Sequence, residues 1–267
     1  MIKAIILDLD GTVYLGDEEV PGAGAFVRRC RDAGIRCLFV TNRSNRPPEA
    51  VAEQLRGYGI PCERNDVLTS AQATAQYLRG AGLLTCDQEK PCRSAFLIGE
   101  AGLVEAMREE GIRIVTEAED RPDAVVVSYD RAFTYAKLAM ATQWIGAGAR
   151  FVATNPDRRL KVAGRTLPGT GSLVAAVEAA TGVAPEYVGK PERLIFDMAL
   201  SKIPCRADEA LSVGDLLETD IRGSLAAGIP NVLMLTGVST RADLAKSPIR
   251  PTHVCETFAE LSALVFP

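Results

Sequence analysis

Histidine is nearly missing from this chain: His253 is the single copy among 267 residues. A Ser-His-Asp triad would have to use it, and its setting, Pro251-Thr252-His253-Val254, reads instead as the edge of a strand. Paired cysteines are missing too. Cys30, Cys37, Cys62, Cys86, Cys92, Cys205 and Cys255 are an odd, scattered set without a CxxC, so zinc-ligand spacing is absent. Single thiols suit a reducing compartment, and the same argument disfavours a bridge between Cys86 and Cys92 around their polar loop. No uninterrupted apolar run approaches the ~18 residues that suggest a membrane span. Met1-Ile2-Lys3 leads straight into a strand without a cleavable apolar segment, so a cytoplasmic protein with no membrane partner is expected. An excess of positive charge is lacking: 30 Lys and Arg stand against 34 Asp and Glu, a net charge of −4. That balance argues against nucleic acid as a partner, and an anionic substrate would need a locally positive pocket. Gly189-Lys190 lacks the following Ser/Thr and the upstream glycine spacing of a P-loop. Gly22-Ala23-Gly24 and Gly169-Thr170-Gly171 neither follow a strand directly nor complete GxGxxG, so they are poor dinucleotide candidates. No internal repeat or low-complexity tract interrupts the chain.

What is present is ordinary for a soluble enzyme: 47% hydrophobic and 24% charged residues, in a chain long enough for one large domain or two modest ones. Strands and helices alternate from the start. Ile2 to Leu7 reads as a strand, Ala23 to Ala33 as a helix, Arg36 to Val40 as a strand, and Pro48 to Tyr58 as a helix whose prolines sit in a tolerant first turn. Ser70 caps a helix to about Arg79, and Gly80-Ala81-Gly82 with the polar stretch Cys86 to Pro91 reads as a boundary. A second alternating set runs from Ala95-Phe96-Leu97-Ile98 to Phe151-Val152-Ala153 and has the makings of its own core. It includes a helix from Tyr135 to Ile145, on which Trp144 reads as a packing residue. Pro168-Gly169-Thr170-Gly171-Ser172 reads as a linker into the helix Leu173 to Ala180. The strands near Glu186 to Val188, Ala210 to Val213 and Asn231 to Leu235 are then expected to rejoin the first sheet. The expected organisation is an α/β, Rossmann-like parallel-sheet core made of residues 1–81 and 185–267, with residues 82–184 inserted as a second α/β domain.

Four strand tips carry polar side chains. Ala4-Ile5-Ile6-Leu7 ends in Asp8 and Asp10; Cys37-Leu38-Phe39-Val40 in Thr41-Asn42; Tyr187-Val188 in Gly189-Lys190-Pro191; and Ala210-Leu211-Ser212-Val213 in Gly214-Asp215, with Asp220 five residues on. Alone, Asp-Xaa-Asp reads as a helix cap, Thr-Asn as a turn and Gly-Lys-Pro as a solvated loop. Together, each after an apolar run, they converge if the four strands are parallel neighbours, because open α/β sheets bind ligands at the carboxyl ends of their strands. Phosphoryl transfer explains these residue types. A carboxylate attacking a phosphate dianion meets like-charge repulsion, so the site must supply cations and fixed donors. Magnesium bound by hard oxygens from Asp8 and Asp215 would do so, Lys190 would add a point charge, and Thr41 and Asn42 would hold phosphoryl oxygens.

Asp8-Leu9-Asp10-Gly11-Thr12 matches the DxDG(T/V) signature, and the chain resembles the haloacid dehalogenase superfamily along nearly its whole length. The position of the insertion, between Asn42 and Lys190, resembles the large-cap branch of NagD-like and 4-nitrophenylphosphatase-like enzymes. Further matches are Val127-Ser128-Tyr129-Asp130, Ala153-Thr154-Asn155-Pro156-Asp157, Pro168-Gly169-Thr170-Gly171-Ser172 and Leu235-Thr236-Gly237-Val238-Ser239. The resemblance implies a magnesium-dependent phosphatase acting on a small organic phosphomonoester. In it Asp8 is the nucleophile, and Asp10 is the general acid, then base, whose backbone carbonyl binds the metal. Asp215 is a metal ligand, and Asp220 is a further ligand or an orienting group. It also implies a cap that closes over the cleft and a homodimer formed through that cap. Asp157 and the Tyr129-Asp130 turn are candidates to face the crevice. The chain departs from the family at Arg43, where a second Asn is usual, and at Leu216, where Arg is common. Two alternatives remain: a metal-independent dehalogenase, which Asp10 argues against because that chemistry has no leaving alkoxide to protonate, and a noncatalytic phospho-metabolite binder or sensor.

Overall fold

The computed structural model describes residues 2–80, 91–116, 120–162 and 165–267. The expected boundary at residue 82 and the Cys86 half of the cysteine pair lie outside them. The chain divides into two compact units: one of Met1–Thr41, Pro48–Leu68 and Lys190–Pro267, the other of Asn42–Pro47 and Thr69–Gly189. No described helix is long and apolar enough to cross a membrane.

The first unit is built on a six-stranded sheet in the order His253–Cys255, Asn231–Met234, Ala210–Gly214, Ala4–Leu7, Arg36–Thr41, Val67–Thr69. Ala4–Leu7 pairs in parallel on both sides, Ile5 lying between Leu211 and Cys37, and Leu7 between Val213 and Phe39. All four of its residues are buried, as a strand covered on both faces must be. Helix Ala23–Asp32 turns Ala23, Phe26, Val27 and Cys30 inward, the i, i+3, i+4, i+7 spacing of an amphipathic helix. From Ala4–Leu7 the chain moves outward to Arg36–Thr41 and Val67–Thr69. It returns later on the opposite side through Ala210–Gly214 and Asn231–Met234. The topological switch point, where open α/β sheets leave a crevice, therefore lies between Ala4–Leu7 and Ala210–Gly214. His253 is exposed on the edge strand.

The second unit holds a five-stranded sheet in the order Glu186–Tyr187, Arg150–Ala153, Ala124–Val127, Ser94–Ile98, Arg113–Val115, parallel throughout. Its core joins Phe96, Val125, Phe151, Trp144, Ile145 and Val174, so Trp144 packs as its mid-helix position suggests. Two expectations change here. Glu186–Tyr187 pairs with Arg150–Ala153 in this second sheet and does not rejoin the first. Pro168 closes an antiparallel hairpin of Arg159–Val162 with Arg165–Pro168 rather than opening a linker. The unit takes in Thr69–Gly189 together with Asn42–Pro47. The reason is contact across it. Helix Ser70–Arg79, started by a Thr69/Gln72 capping box, packs on helix Ala101–Glu109, and Tyr77 donates its hydroxyl proton to Glu186, which also accepts from Arg150.

Candidate active site

Asp8 follows the buried strand Ala4–Leu7, and its backbone N–H bonds to Val213 O at 2.9 Å, which extends the pairing of the two central strands by one residue. Lys190 is 3% exposed, and its ammonium donates to Asp8 Oδ1 and, at 2.6 Å, to Asp220 Oδ1. Asp220 lies in a single π-helical turn, Leu217–Ile221, and its other oxygen accepts the Leu216 N–H at 3.0 Å. Asp215, the residue after strand Ala210–Gly214, accepts the Val238 N–H at 2.6 Å, while its carbonyl accepts from Ser239 N. Asp8, Asp215 and Asp220 each offer one carboxylate oxygen, and these lie within 4.8 Å of one another.

Such closeness needs room that only glycine leaves. A Cβ on Gly11, whose φ is +89°, or on Gly237 would collide with the Asp215 carboxylate. The electrostatics are unbalanced: among the described residues, three buried carboxylates share one ammonium. Burial raises the Asp8 carboxyl well above its usual value; Lys190 opposes this, while Asp220 and Asp215 add to it. Asp215 is pushed up to about 7, by burial first and by Asp220 next. Burial acts to lower the Lys190 ammonium, but Asp220 and Asp8 outweigh it, and its pKa is raised, so it stays charged. Hard oxygen donors with uncompensated negative charge suit a small divalent cation such as magnesium.

The other expected residues are arranged differently. Asp10 is exposed, outside the carboxylate cluster, and accepts the Tyr14 hydroxyl at 3.3 Å. Thr41 is the buried last residue of Arg36–Thr41, the strand next to Ala4–Leu7. Asn42 belongs to the second unit, where its amide donates to Asp157 at 2.8 Å. Asp130 is buried and accepts from Lys137 and the Ala132 N–H. Lys190 reaches Asp8 although the strand before it, Glu186–Tyr187, lies in the other sheet. The convergence therefore does not come from four parallel neighbours of one sheet. Leu216 takes part through its backbone alone, as a donor to Asp220. Sequence reasoning missed Thr12, which donates to Asp8 at 3.5 Å, Tyr14, and the Val238 N–H. Thr12 and the stretch around Val238 were visible only as motif letters, because a main-chain donor carries no residue-type signal.

The chain matches a family model described as haloacid dehalogenase-like hydrolase over residues 5–113, and a second HAD-hydrolase-like model over residues 187–261. It is 38% identical over 258 residues to the 5'-nucleotidase YutF of Bacillus subtilis, covering 97% of this chain and 96% of the relative. A solved structure of the glycerol phosphate phosphatase Rv1692 from Mycobacterium tuberculosis, in complex with magnesium, superposes with a TM-score of 0.90 at 37% identity, covering 98% of this chain and 78% of that one. NagD from Escherichia coli K-12 superposes with a TM-score of 0.87 at 33% identity, covering 97% and 98%. With carboxylates and a lysine gathered at the switch point of a parallel sheet, and with relatives that align along almost its full length, this chain belongs to the haloacid dehalogenase-like hydrolases.

Proposed function

We propose that this chain is a magnesium-dependent phosphatase that hydrolyses a small organic phosphomonoester through a phospho-aspartate on Asp8. The observation that carries the reading is the Lys190 ammonium bound to both Asp8 and Asp220, with Asp215 within ligand reach. The relatives' names, a nucleotidase and a glycerol phosphate phosphatase, support the substrate class without choosing a member of it.

Asp8, Asp215 and Asp220 are the side chains that would hold magnesium, together with the Asp10 carbonyl. When bound, the ion supplies positive charge to the phosphoryl oxygens. An Asp8 oxygen attacks phosphorus and the bond to the leaving oxygen breaks, with the Asp10 carboxylic acid giving that oxygen its proton. Asp10, then a carboxylate, takes a proton from the water whose oxygen attacks phosphorus and frees Asp8. Lys190 offsets the negative charge as nucleophile and phosphate approach, and Asp220 holds the ammonium in place. Thr41 and Asn42 donate to the phosphoryl oxygens. A cytoplasmic setting belongs to the same reading, supported by free thiols at Cys30, Cys37, Cys62, Cys92, Cys205 and Cys255. A homodimer through the inserted unit belongs to it as well.

Hydrolysis of 4-nitrophenyl phosphate with magnesium tests the proposal. Asp8→Asn is expected to lower kcat by about 10⁴-fold or more with the circular dichroism spectrum unchanged, and chelation of the metal is expected to stop the wild-type enzyme. Unchanged turnover in Asp8→Asn would remove the nucleophile assignment. Chloride release without magnesium would favour the dehalogenase, and ligand binding without turnover the sensor.

A further inference from the structure

We propose that Ser239 is a positioning residue that sets the spacing between Asp215 and Asp220 and so suits the carboxylate cluster to magnesium over calcium. The proposal rests on the metal site of the phosphatase reading, and every residue it uses belongs to the first unit. It starts from two hydrogen bonds of one residue. The Ser239 N–H donates to the Asp215 carbonyl at 3.1 Å, and Ser239 Oγ accepts the Leu217 N–H at 3.0 Å. Leu217 opens the π-helical turn Leu217–Ile221 that carries Asp220. One buried serine therefore ties the segment of one carboxylate to the segment of the other.

The turn needs this help. The first N–H groups of a helical turn have no partner within it, and Leu216, at the cap position, has no side-chain acceptor to offer. Two acceptors come from elsewhere. Asp220 Oδ2 accepts the Leu216 N–H at 3.0 Å, and Ser239, 22 residues further on, accepts that of Leu217. The first bond fixes the way the Asp220 carboxylate faces. The second fixes where its turn begins.

The stretch that carries Ser239 is itself held. Leu235 N donates to Cys255 O at 2.9 Å, Thr236 Oγ1 to Gly11 O at 2.7 Å, and Val238 N to Asp215 Oδ2 at 2.6 Å. Gly214 leaves little room on the side of Asp220, since a Cβ there would come within 2.3 Å of the Asp220 Cβ. Leu235-Thr236-Gly237-Val238-Ser239 is thus a brace between two ligands. Magnesium demands near-ideal octahedral geometry, whereas calcium accepts longer and more variable distances. Letting one ligand drift from the other therefore penalises magnesium more than calcium.

Ser239→Ala removes the acceptor for Leu217 and leaves the main-chain bond to Asp215 in place. Metal binding is measured without substrate, from the rise in melting temperature with magnesium chloride or calcium chloride at constant ionic strength. Ser239→Ala is expected to raise the dissociation constant for magnesium about tenfold, as loss of an orienting partner behind a ligand does, and that for calcium less than about threefold. Thr240→Ala is the control. It removes the acceptor for the Asp243 N–H at the start of helix Arg241–Lys246, and should leave both constants unchanged. If Ser239→Ala does not fold, Ser239→Cys, of similar size and a weaker acceptor, takes its place with the same direction of change. Equal losses for the two ions, no loss in the Ser239 variant, or the same loss in Thr240→Ala would overturn the proposal. A wild-type chain whose melting temperature neither ion raises would overturn it together with the metal site. Selective loss of magnesium affinity, in a chain whose wild type does not hydrolyse 4-nitrophenyl phosphate, would uphold the proposal while ending the phosphatase reading.

Discussion

The two units share a wiring plan and differ in electrostatics. In each, a first strand sits inside a parallel sheet, the chain moves to one side, then crosses to the other: Ala4–Leu7 with Arg36–Thr41 and Ala210–Gly214 in one, Ser94–Ile98 with Arg113–Val115 and Ala124–Val127 in the other. Each carries acids just past its two central strands: Asp8 and Asp215 in the first, Glu100 and Asp130 in the second. In the second unit each acid has its own cation. Arg131 grips Glu100 with Nε at 2.7 Å and Nη2 at 3.0 Å, and Lys137 reaches Asp130 at 2.6 Å. The Arg131 bond holds the Glu100 carboxyl below its ordinary value. In the first unit three acids share Lys190, and Asp8 and Asp215 are raised. Among the described residues, the same strand arrangement is thus neutralised in one unit and left short of positive charge in the other, and hard carboxylate oxygens in such a cluster suit a divalent cation.

Exchanging acid for amide in both places should break the comparison most sharply. Asp215→Asn is expected to lower kcat/KM by about a hundredfold or more, as loss of a group that stabilises charge in the transition state does. Asp130→Asn should stay within about threefold. Equal losses in the two variants would mean that the contrast between the crevices has no functional content.

A smaller effect should come from glycine. Gly11 and Gly16 both have positive φ, at +89° and +62°, but only Gly11 has the Asp215 carboxylate where a Cβ would go, while nothing lies within 4 Å of that position on Gly16. Gly16→Ala should cost about 1 kcal/mol, the left-handed penalty alone, and Gly11→Ala about 3 kcal/mol because crowding adds to it. Guanidinium chloride denaturation measures both, and equal costs would show that the approach of Asp215 is not tight.

The smallest effect concerns pH. Because the folded pKa of Glu100 lies below 4.5, its pairing contributes stability in full above that value and loses it as pH falls through the lower folded pKa. Arg131 is mostly exposed, so the contribution is below about 1 kcal/mol. Arg131→Met should therefore be less stable than wild type at pH 7, with the difference shrinking as pH falls below 4.5. A stability difference that persists at acid pH would assign Arg131 to packing instead.

Some of this was legible before any coordinates. The places of Asp8 and Asp215 at strand ends were legible because Asp8 follows the apolar run Ala4–Leu7 and Asp215 follows the mostly apolar strand Ala210–Gly214, and such segments are buried in parallel sheets whatever surrounds them. Trp144 was readable by its place within a helix. Glu186–Tyr187 was misassigned because two residues carry no record of which sheet they will pair with; that is settled by Arg150–Ala153, far off in the chain. The place of helix Ser70–Arg79 in the second unit was hidden for a similar reason, since the Tyr77 to Glu186 bond spans 109 residues.

The sequence by itself determined the chemistry available: acids, one lysine and glycines at the ends of apolar runs, in an α/β alternation that leaves few arrangements for a parallel sheet. Tertiary structure alone decided how those groups are shared out. Lys190 pairs with Asp8 and Asp220 at once, and Asn42 turns its amide to Asp157, because charge and hydrogen-bond partnerships depend on distances of a few ångströms between residues far apart in the chain, and local patterning does not encode such distances.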